Sequence, residues 1–527
     1  MTPFIVASVW FKRLSKGLIF ALLILPQISC NLISATTPEV KRSSPNIPLS
    51  TSVPEVRAPT APVLVGEEIT CTYYVSPNGD DSMPGSESQP WGTFQYAMDS
   101  AHPGDTICFR EGIYVVEDSV HITGSGTAEA PIVFTAYPGE RPILDGGGNV
   151  GDLLIFDQHV SHIRISGFTL RNFNSWGVDL NGENRYIDLD HLTVEGGEAG
   201  IHFTYGDDDL DPPEGGPVEH ITLEESLIFN SEFTGIDCTP GPCNNMIFRR
   251  LEVYGSGLRA ESSFGSDGIA ISRGYPVLVE DCYIHDNGGD GIDLNSRDRE
   301  GFANGVVVRR NRVIRNHMNG IKLWAGGRME NNLVWGQGNS AIWIGTFHSI
   351  LEVVNNTIAF NMWDPTYSER NWAFSAGYPE EIVPLPQVDL QLVNNIFAFN
   401  TGPEVGDPTG IYLGPGVKIT EHHNLYFSSL DGEIDADFLE TEITRRELAD
   451  GTWADLTGQG QNDLTTDPLF ISGWPQLDLD IQLASPAIDA GDSASCPLED
   501  YLGGLRPIDG DNDGVAICDI GAVEWNE

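Results

Sequence analysis

The chain has 527 residues, and 28 Lys and Arg stand against 76 Asp and Glu for a formal net charge of −48. That balance argues against nucleic acid as a partner, because phosphate binding needs a basic face. With 40% hydrophobic and 9% aromatic residues, the chain is also too apolar for a disordered acidic polymer, and repetitive all-β chains often fill such a length in one body.

At the start, Lys12, Arg13 and Lys16 precede an apolar run from Leu18 to Leu25 and then Ser29-Cys30, which reads as an export signal over residues 1–30. The run is too short for a membrane core that needs about 20 helical residues. Cys30 resembles a bacterial lipoprotein cleavage site, although Gln27 stands where the usual Leu would be. The expectation is an exported protein, at the cell surface as a lipoprotein or outside the cell, that meets the membrane only through that anchor. Residues 31–67 are rich in Pro, Ser and Thr without periodicity, as a tether would be. Setting Cys30 aside leaves seven cysteines: Cys71/Cys108, Cys238/Cys243 and Cys496/Cys518 are feasible local pairs, with Cys282 spare. Sequence alone leaves the connectivity open.

Residues 68–430 are expected to form an all-β, right-handed parallel β-helix with a short capping helix at its N-terminal end. The cap is an amphipathic stretch with Phe94, Ala97, Met98 and Ala101 on one face, placed to cover the edge of the first coil. The coils announce themselves in a recurring phrase: Gly177-Val-Asp-Leu, Gly200-Ile-His-Phe, Gly235-Ile-Asp-Cys, Gly268-Ile-Ala-Ile, Gly291-Ile-Asp-Leu, Gly320-Ile-Lys-Leu and Ala341-Ile-Trp-Ile. Its first and third residues after Gly are apolar and point inward, so that each coil buries its apolar face on the next. A second phrase, at Asn311, Asn332, Asn356 and Asn395, predicts an internal ladder of side-chain amides at a turn. A helical solenoid would need apolar residues at i, i+3, i+4 and i+7, which these segments lack. Residues 431–527 hold an insertion, a final coil and a C-terminal module.

Stacking the phrases brings one set of middle residues outward, including Asp237, Asp293 and Lys322, while Asp267 and Asp290 precede their glycines in a second column. Coils lie about 4.8 Å apart, close enough for carboxylates on neighbouring coils to share one divalent cation. A straight strand would send Asp290 and Asp293 to opposite faces, so a bend at Gly291 is required. Eight of the 28 basic residues, including Arg297, Arg299, Arg315 and Lys322, fall within 32 positions and suggest a patch for an acidic substrate, unless they pair with flanking acids. Trp324 is a candidate sugar platform. Near the end, Asp509-Gly-Asp511-Asn-Asp513-Gly has the first half of an EF-hand loop, a candidate structural calcium site.

Tyr73-Tyr-Val-Ser-Pro-Asn-Gly, Ile132-Val-Phe-Thr-Ala-Tyr-Pro-Gly and Ile143-Leu-Asp-Gly resemble the opening of exported β-helix proteins that include pectate lyases of polysaccharide lyase family 9. Asp467-Pro-Leu-Phe, Ser485-Pro-Ala-Ile-Asp-Ala-Gly-Asp and Asp519-Ile-Gly-Ala-Val-Glu resemble the module called choice-of-anchor Q. The lyase family's calcium-binding phrases are similar to Asp267-Gly-Ile-Ala and Gly289-Asp290-Gly-Ile-Asp293, and its base phrase to Asn319-Gly-Ile-Lys322-Leu. The resemblance implies Asp267, Asp290 and Asp293 as Ca²⁺ ligands and Lys322 as the base of an elimination on an acidic, pectate-like polysaccharide. Gly289 departs from the family's Asp, and Asp237 is the expected substitute. The chain is expected to act as a monomer. The alternatives are a non-catalytic glycan-binding or adhesive β-helix and a β-helix glycoside hydrolase, the latter needing two or three carboxylates and no lysine.

Overall fold

The computed structural model describes residues 69–204, 216–239, 241–258, 266–295, 305–324, 326–345, 349–361, 372–377, 387–400, 410–427, 432–436, 439, 441–473 and 478–526. The expected signal and tether, Arg297 and Arg299 lie outside them.

Each coil contributes one strand to each of three sheets, which hold 13, 12 and 13 strands among the described residues. The coil through the candidate site illustrates the pattern. Val277–Glu280 lies in the first sheet, Tyr283–His285 in the second and Ile292–Leu294 in the third. Left-handed residues turn the two corners between them, Asp281 at φ 56° and Asp286 at φ 53°. Equivalent residues are left-handed in the next coil, Arg310 and Arg315, so the corners stack as the strands do. The result is the right-handed parallel β-helix expected from the sequence.

Parallel pairing sets Ile236, Ile269, Ile292, Ile321 and Ile342 in one register column, and all five are fully buried. The first four follow a glycine, as the close approach of neighbouring coils demands, and Ile342 follows Ala341. A Cβ on Gly291 would lie 2.7 Å from the carbonyl oxygen of Gly320, and one on Gly268 would lie 2.6 Å from that of Gly291. At the N-terminal edge the helix Phe94–Ser100, capped by the Thr93 hydroxyl, buries Phe94, Ala97 and Met98 over the first coils. The three pairs Cys71–Cys108, Cys238–Cys243 and Cys496–Cys518 are disulfides, and Cys282 is a buried free thiol.

The residue after each left-handed corner points inward, and asparagine there makes a ladder. Asn311 Nδ2 donates to Asn332 Oδ1 at 3.0 Å, Asn332 to Asn356 at 2.9 Å, Asn356 to Asn395 at 3.1 Å and Asn395 to Asn424 at 3.0 Å. Each oxygen also accepts a backbone N–H of the coil before it, as Asn332 does from Asn311 at 3.0 Å. A second ladder at the other corner, through Asn287, Asn316, Gln337, Asn361 and Asn400, has no counterpart in the sequence reading. The C-terminal residues cover the outer face of the second sheet, where Phe470, Leu479, Ile481, Ile520 and Ala522 pack on Ile314, Leu333, Trp335, Ile396 and Leu425. Arg506 pins this segment, since its buried guanidinium donates to Glu524 at 2.8 Å and to Asn331 Oδ1 at 2.9 Å.

An acid ends the first ladder. Asp463 Oδ1 accepts the Asn424 N–H at 2.9 Å, and Asp463 Oδ2 is sealed from solvent. Beside it the buried Glu421 accepts from Asn424 Nδ2 at 3.0 Å and from Trp453 Nε1. Burial first, and then the Glu421 carboxylate, push the Asp463 carboxyl well above the ordinary range, so the pair retains a proton. In the unfolded chain Asp463 loses its proton near pH 3.9. Above about pH 4 the folded state therefore binds a proton that the unfolded state does not, and stability falls as pH rises. Asp463→Asn keeps the acceptor and adds a donor for Glu421. Thermal melts should show this variant more stable by about 1 kcal/mol or more at neutral pH, with a flatter decline toward alkaline pH; an unchanged slope would remove the pair from the account.

Candidate active site

On the outward side of the third sheet the register reads Asp237, Ala270, Asp293, Lys322, Trp343, one residue per coil. The column two residues before each isoleucine is a ladder of its own. Asp267 Oδ1 accepts the Asp290 N–H at 2.6 Å, Asp290 Oδ1 accepts both the N–H and Nδ2 of Asn319 at 2.8 Å, and Asn319 Oδ1 accepts the Ser340 N–H at 3.2 Å. The expected bend at Gly291 unites the two columns. Lys322 Nζ lies 2.9 Å from Asp293 Oδ2 and 3.8 Å from Asp290 Oδ2.

All three aspartates are buried, and one ammonium serves them. Burial, then the charge of Asp293, raises the Asp290 carboxyl, and Asp267 is raised by burial, Asp290 and Asp293 in turn. Burial alone would lower Lys322, but Asp293 and Asp290 outweigh it and hold the ammonium above its ordinary range. Its Nζ sits 4.5 Å from the Trp324 ring centre and 5.6 Å from that of Trp343, and the two rings meet edge to face. Trp324 thus walls in the lysine.

This donor set fits a hard divalent cation. Three buried carboxylates exceed the single positive charge beside them, and Asp293 Oδ1 is buried with no hydrogen-bond partner among the described residues. Asn295 donates Nδ2 to Asp293 Oδ2 at 3.1 Å, while its own Oδ1 is equally orphaned. Asp237 lies one coil before Asp267 and two coils before Asp293, about 10 Å along the stack, with His202 and Ala270 as its register neighbours. A Cβ at Gly289 would lie 2.3 Å from Asp267 Oδ1 and 2.9 Å from the Ser266 backbone, so the space of a side chain there is filled.

The basic patch disperses. Arg309 pairs with Glu280 at 2.7 Å, Arg310 with Asp281 at 2.7 Å and Arg315 with Asp286 at 2.8 Å, while Arg328 pairs with Glu330 and Glu352. Their strands and corners belong to the first and second sheets, whereas Lys322 is on the third. Arg315 is therefore the cross-coil partner of an acid and does not reach Lys322. Near the C-terminus, carboxylate oxygens of Asp489, Asp509 and Asp511 lie within 4.8 Å of one another. Asp513 turns instead to accept the Val515 N–H at 2.8 Å, and Asp489 takes its place from a phrase 20 residues upstream of Asp509.

The described residues form a parallel β-helix with a cluster of buried carboxylates on one sheet, and the comparisons place it in a family. The family model described as Pel9A-like, right handed beta helix region, matches residues 73–361, and the chain belongs to that family. All the site residues above from Asp237 to Trp343 fall within the match. Pectate lyase PEL9 of Emericella nidulans is 28% identical over 228 residues, 43% of this chain and 50% of that protein. The chain thus spans half the length of that relative. The uncharacterized protein YwoF of Bacillus subtilis is 23% identical over 349 residues, 55% of this chain and 74% of the relative. The crystal structure of pectate lyase Pel9A shares the fold, with a TM-score of 0.51 at 16% identity over 87% of this chain and 98% of that one.

An outward lysine would ordinarily add little to stability, but this one neutralises buried carboxylates. Lys322→Met should destabilise the protein by on the order of 3 kcal/mol in the presence of a chelator, measured by calorimetric melting. A melting temperature equal to that of the parent would mean that the ammonium is not the counter-ion.

Proposed function

We propose that the chain is a calcium-dependent polysaccharide lyase that cleaves an acidic, pectate-like glycan by β-elimination, with Lys322 as the base and Asp267, Asp290 and Asp293 as cation ligands. The observation that carries this reading is the convergence of Lys322 Nζ on Asp293 and Asp290, inside the segment shared with a family that includes a pectate lyase. Elimination removes the proton on the carbon next to the uronate carboxylate. A double bond forms to the neighbouring carbon, the glycosidic C–O bond breaks, and the departing oxygen ends protonated. Calcium, when bound, supplies positive charge against the developing anion. Lys322 must first give up its own proton, and with it the ion pair to Asp293, before its amine can accept another. Trp324 and Trp343 exclude water from one side of that amine.

The remaining parts of the reading extend from this site. Export as a lipoprotein or secreted protein, with a signal at 1–30, a tether at 31–67 and a β-helix over 68–430, is supported by three disulfides, which persist in oxidising compartments. The residues that follow, 431–527, would carry a choice-of-anchor Q type module, with Asp489, Asp509 and Asp511 as its calcium ligands. Arg297 and Arg299 remain proposed contacts for the polysaccharide. We take the protein to work as a monomer.

A second reading, a glycan-binding β-helix without catalysis, is favoured by one observation: Asp267 and Asp290 serve the same ladder as Asn319, which is a structural role. Incubation with acidic polysaccharides and calcium, followed by ultraviolet absorbance of unsaturated ends, separates the two. The wild type should generate absorbance. Lys322→Arg preserves a cation beside Asp293 and so the fold, yet a guanidinium stays protonated, and this variant should lose at least about a thousandfold in rate. Retained activity in the Arg variant would exclude lysine as the base.

A further inference from the structure

Asn295 follows the strand Ile292–Leu294 that carries Asp293 and lies two residues beyond it, so both side chains leave the same face. Its backbone is pinned between coils. The Asn295 N–H donates to the Ile271 carbonyl at 2.9 Å, and at the same position of the next coil the Trp324 N–H donates to the Leu294 carbonyl at 2.9 Å. The side chain is only 7% exposed, and it places Nδ2 3.1 Å from Asp293 Oδ2. Two acceptors are then left buried without a donor among the described residues, Asn295 Oδ1 and Asp293 Oδ1. Elsewhere among the described residues the buried side-chain amides are satisfied at both ends, as in the Asn332 and Asn356 ladder. Orphan oxygens on two side chains that touch each other are what a cation site looks like before the cation arrives.

We propose that the side-chain amide oxygen of Asn295 is a ligand of the divalent cation held by Asp267, Asp290 and Asp293. This inference rests on the functional reading above and supplies the neutral oxygen that its three carboxylates lack. Oxygen and nitrogen of an amide exchange places by a half-turn of the side chain, so the oxygen can face Asp293 once a cation instead of an ammonium lies there. Of the other sources, Asp237 is one coil from Asp267 but two from Asp293, and Gly289 has no side chain and no room for one beside Asp267. Three carboxylates and one amide leave the remaining positions of a six- to eight-coordinate ion for water and substrate oxygens.

Calcium titration calorimetry on the full chain tests this, in an Asp511→Asn background that silences the C-terminal acidic cluster. Asn295→Leu should weaken calcium binding tenfold or more, Asn295→Asp should bind tighter than the parent, and Asp290→Asn should lose the site. If Asn295→Leu binds like the parent while Asp290→Asn loses calcium, Asn295 is not a ligand and the functional reading stands. If the parent itself shows no saturable binding, both fall. Should Asn295→Leu not fold, Asn295→Asp decides alone: tighter binding supports the ligand, and unchanged or weaker binding overturns it.

Discussion

Parallel stacking at about 4.8 Å per coil repeats every feature of one coil against the same feature of the next. That constraint favours isoleucine over isoleucine, where burial gains from repetition, and glycine where one backbone must pass under another's carbonyl. It works against charge. An aspartate placed at an outward or corner position meets its neighbours along the stack, and the register decides whether they are like or opposite. Asp293 meets Lys322 directly and Asp290 lies at the edge of the same ammonium's reach, whereas Asp267 stacks on the Asp290 backbone, so three acids share one cation.

The amide ladders show how the same fold handles buried polar columns when no chemistry is required. An asparagine is both donor and acceptor, so each rung satisfies the next, and the column from Asn311 to Asn424 closes without charge. Where aspartate replaces asparagine, the donor is missing. At Asp463 a retained proton makes up the deficit, in a sealed corner beside Glu421. At Asp267 and Asp290 the deficit is met by Lys322, in reach of an outward face, and it is met incompletely, as the orphaned Asp293 Oδ1 shows. A site so arranged can exchange its counter-ion, and this sets it apart from the structural ladders.

Much of this was legible in the amino-acid order. The Gly-Ile-x-apolar phrase carries period and polarity together, so the isoleucine columns, the first asparagine ladder and the capping helix could be read before any coordinates, while the cysteine pairs were feasible but open. The bend that joins Asp290 to Asp293 was required by parity alone. What could not be read depends on which corner a residue turns and how many coils intervene. The arginines clustered in sequence are scattered over two sheets by the left-handed corners at Arg310 and Arg315, each meeting an acid one coil earlier. Asp237 is on the coil next to that of Asp267, and Ala270 occupies the rung between it and Asp293. Asn295 gave no motif and Asp489 lay in a phrase with no metal-ligand spacing to Asp509, since an orphaned oxygen and a carboxylate brought in from a distant phrase are properties of packing.

The account turns on bond cleavage by elimination, and the oxygen balance of the products tests that most directly. Digestion of an acidic polysaccharide in ¹⁸O-enriched water, followed by mass spectrometry, should yield unsaturated ends that carry no oxygen from solvent. Saturated products bearing one ¹⁸O per cleavage would contradict the account, because they would mean that water, and not a double bond, takes the place of the broken glycosidic link.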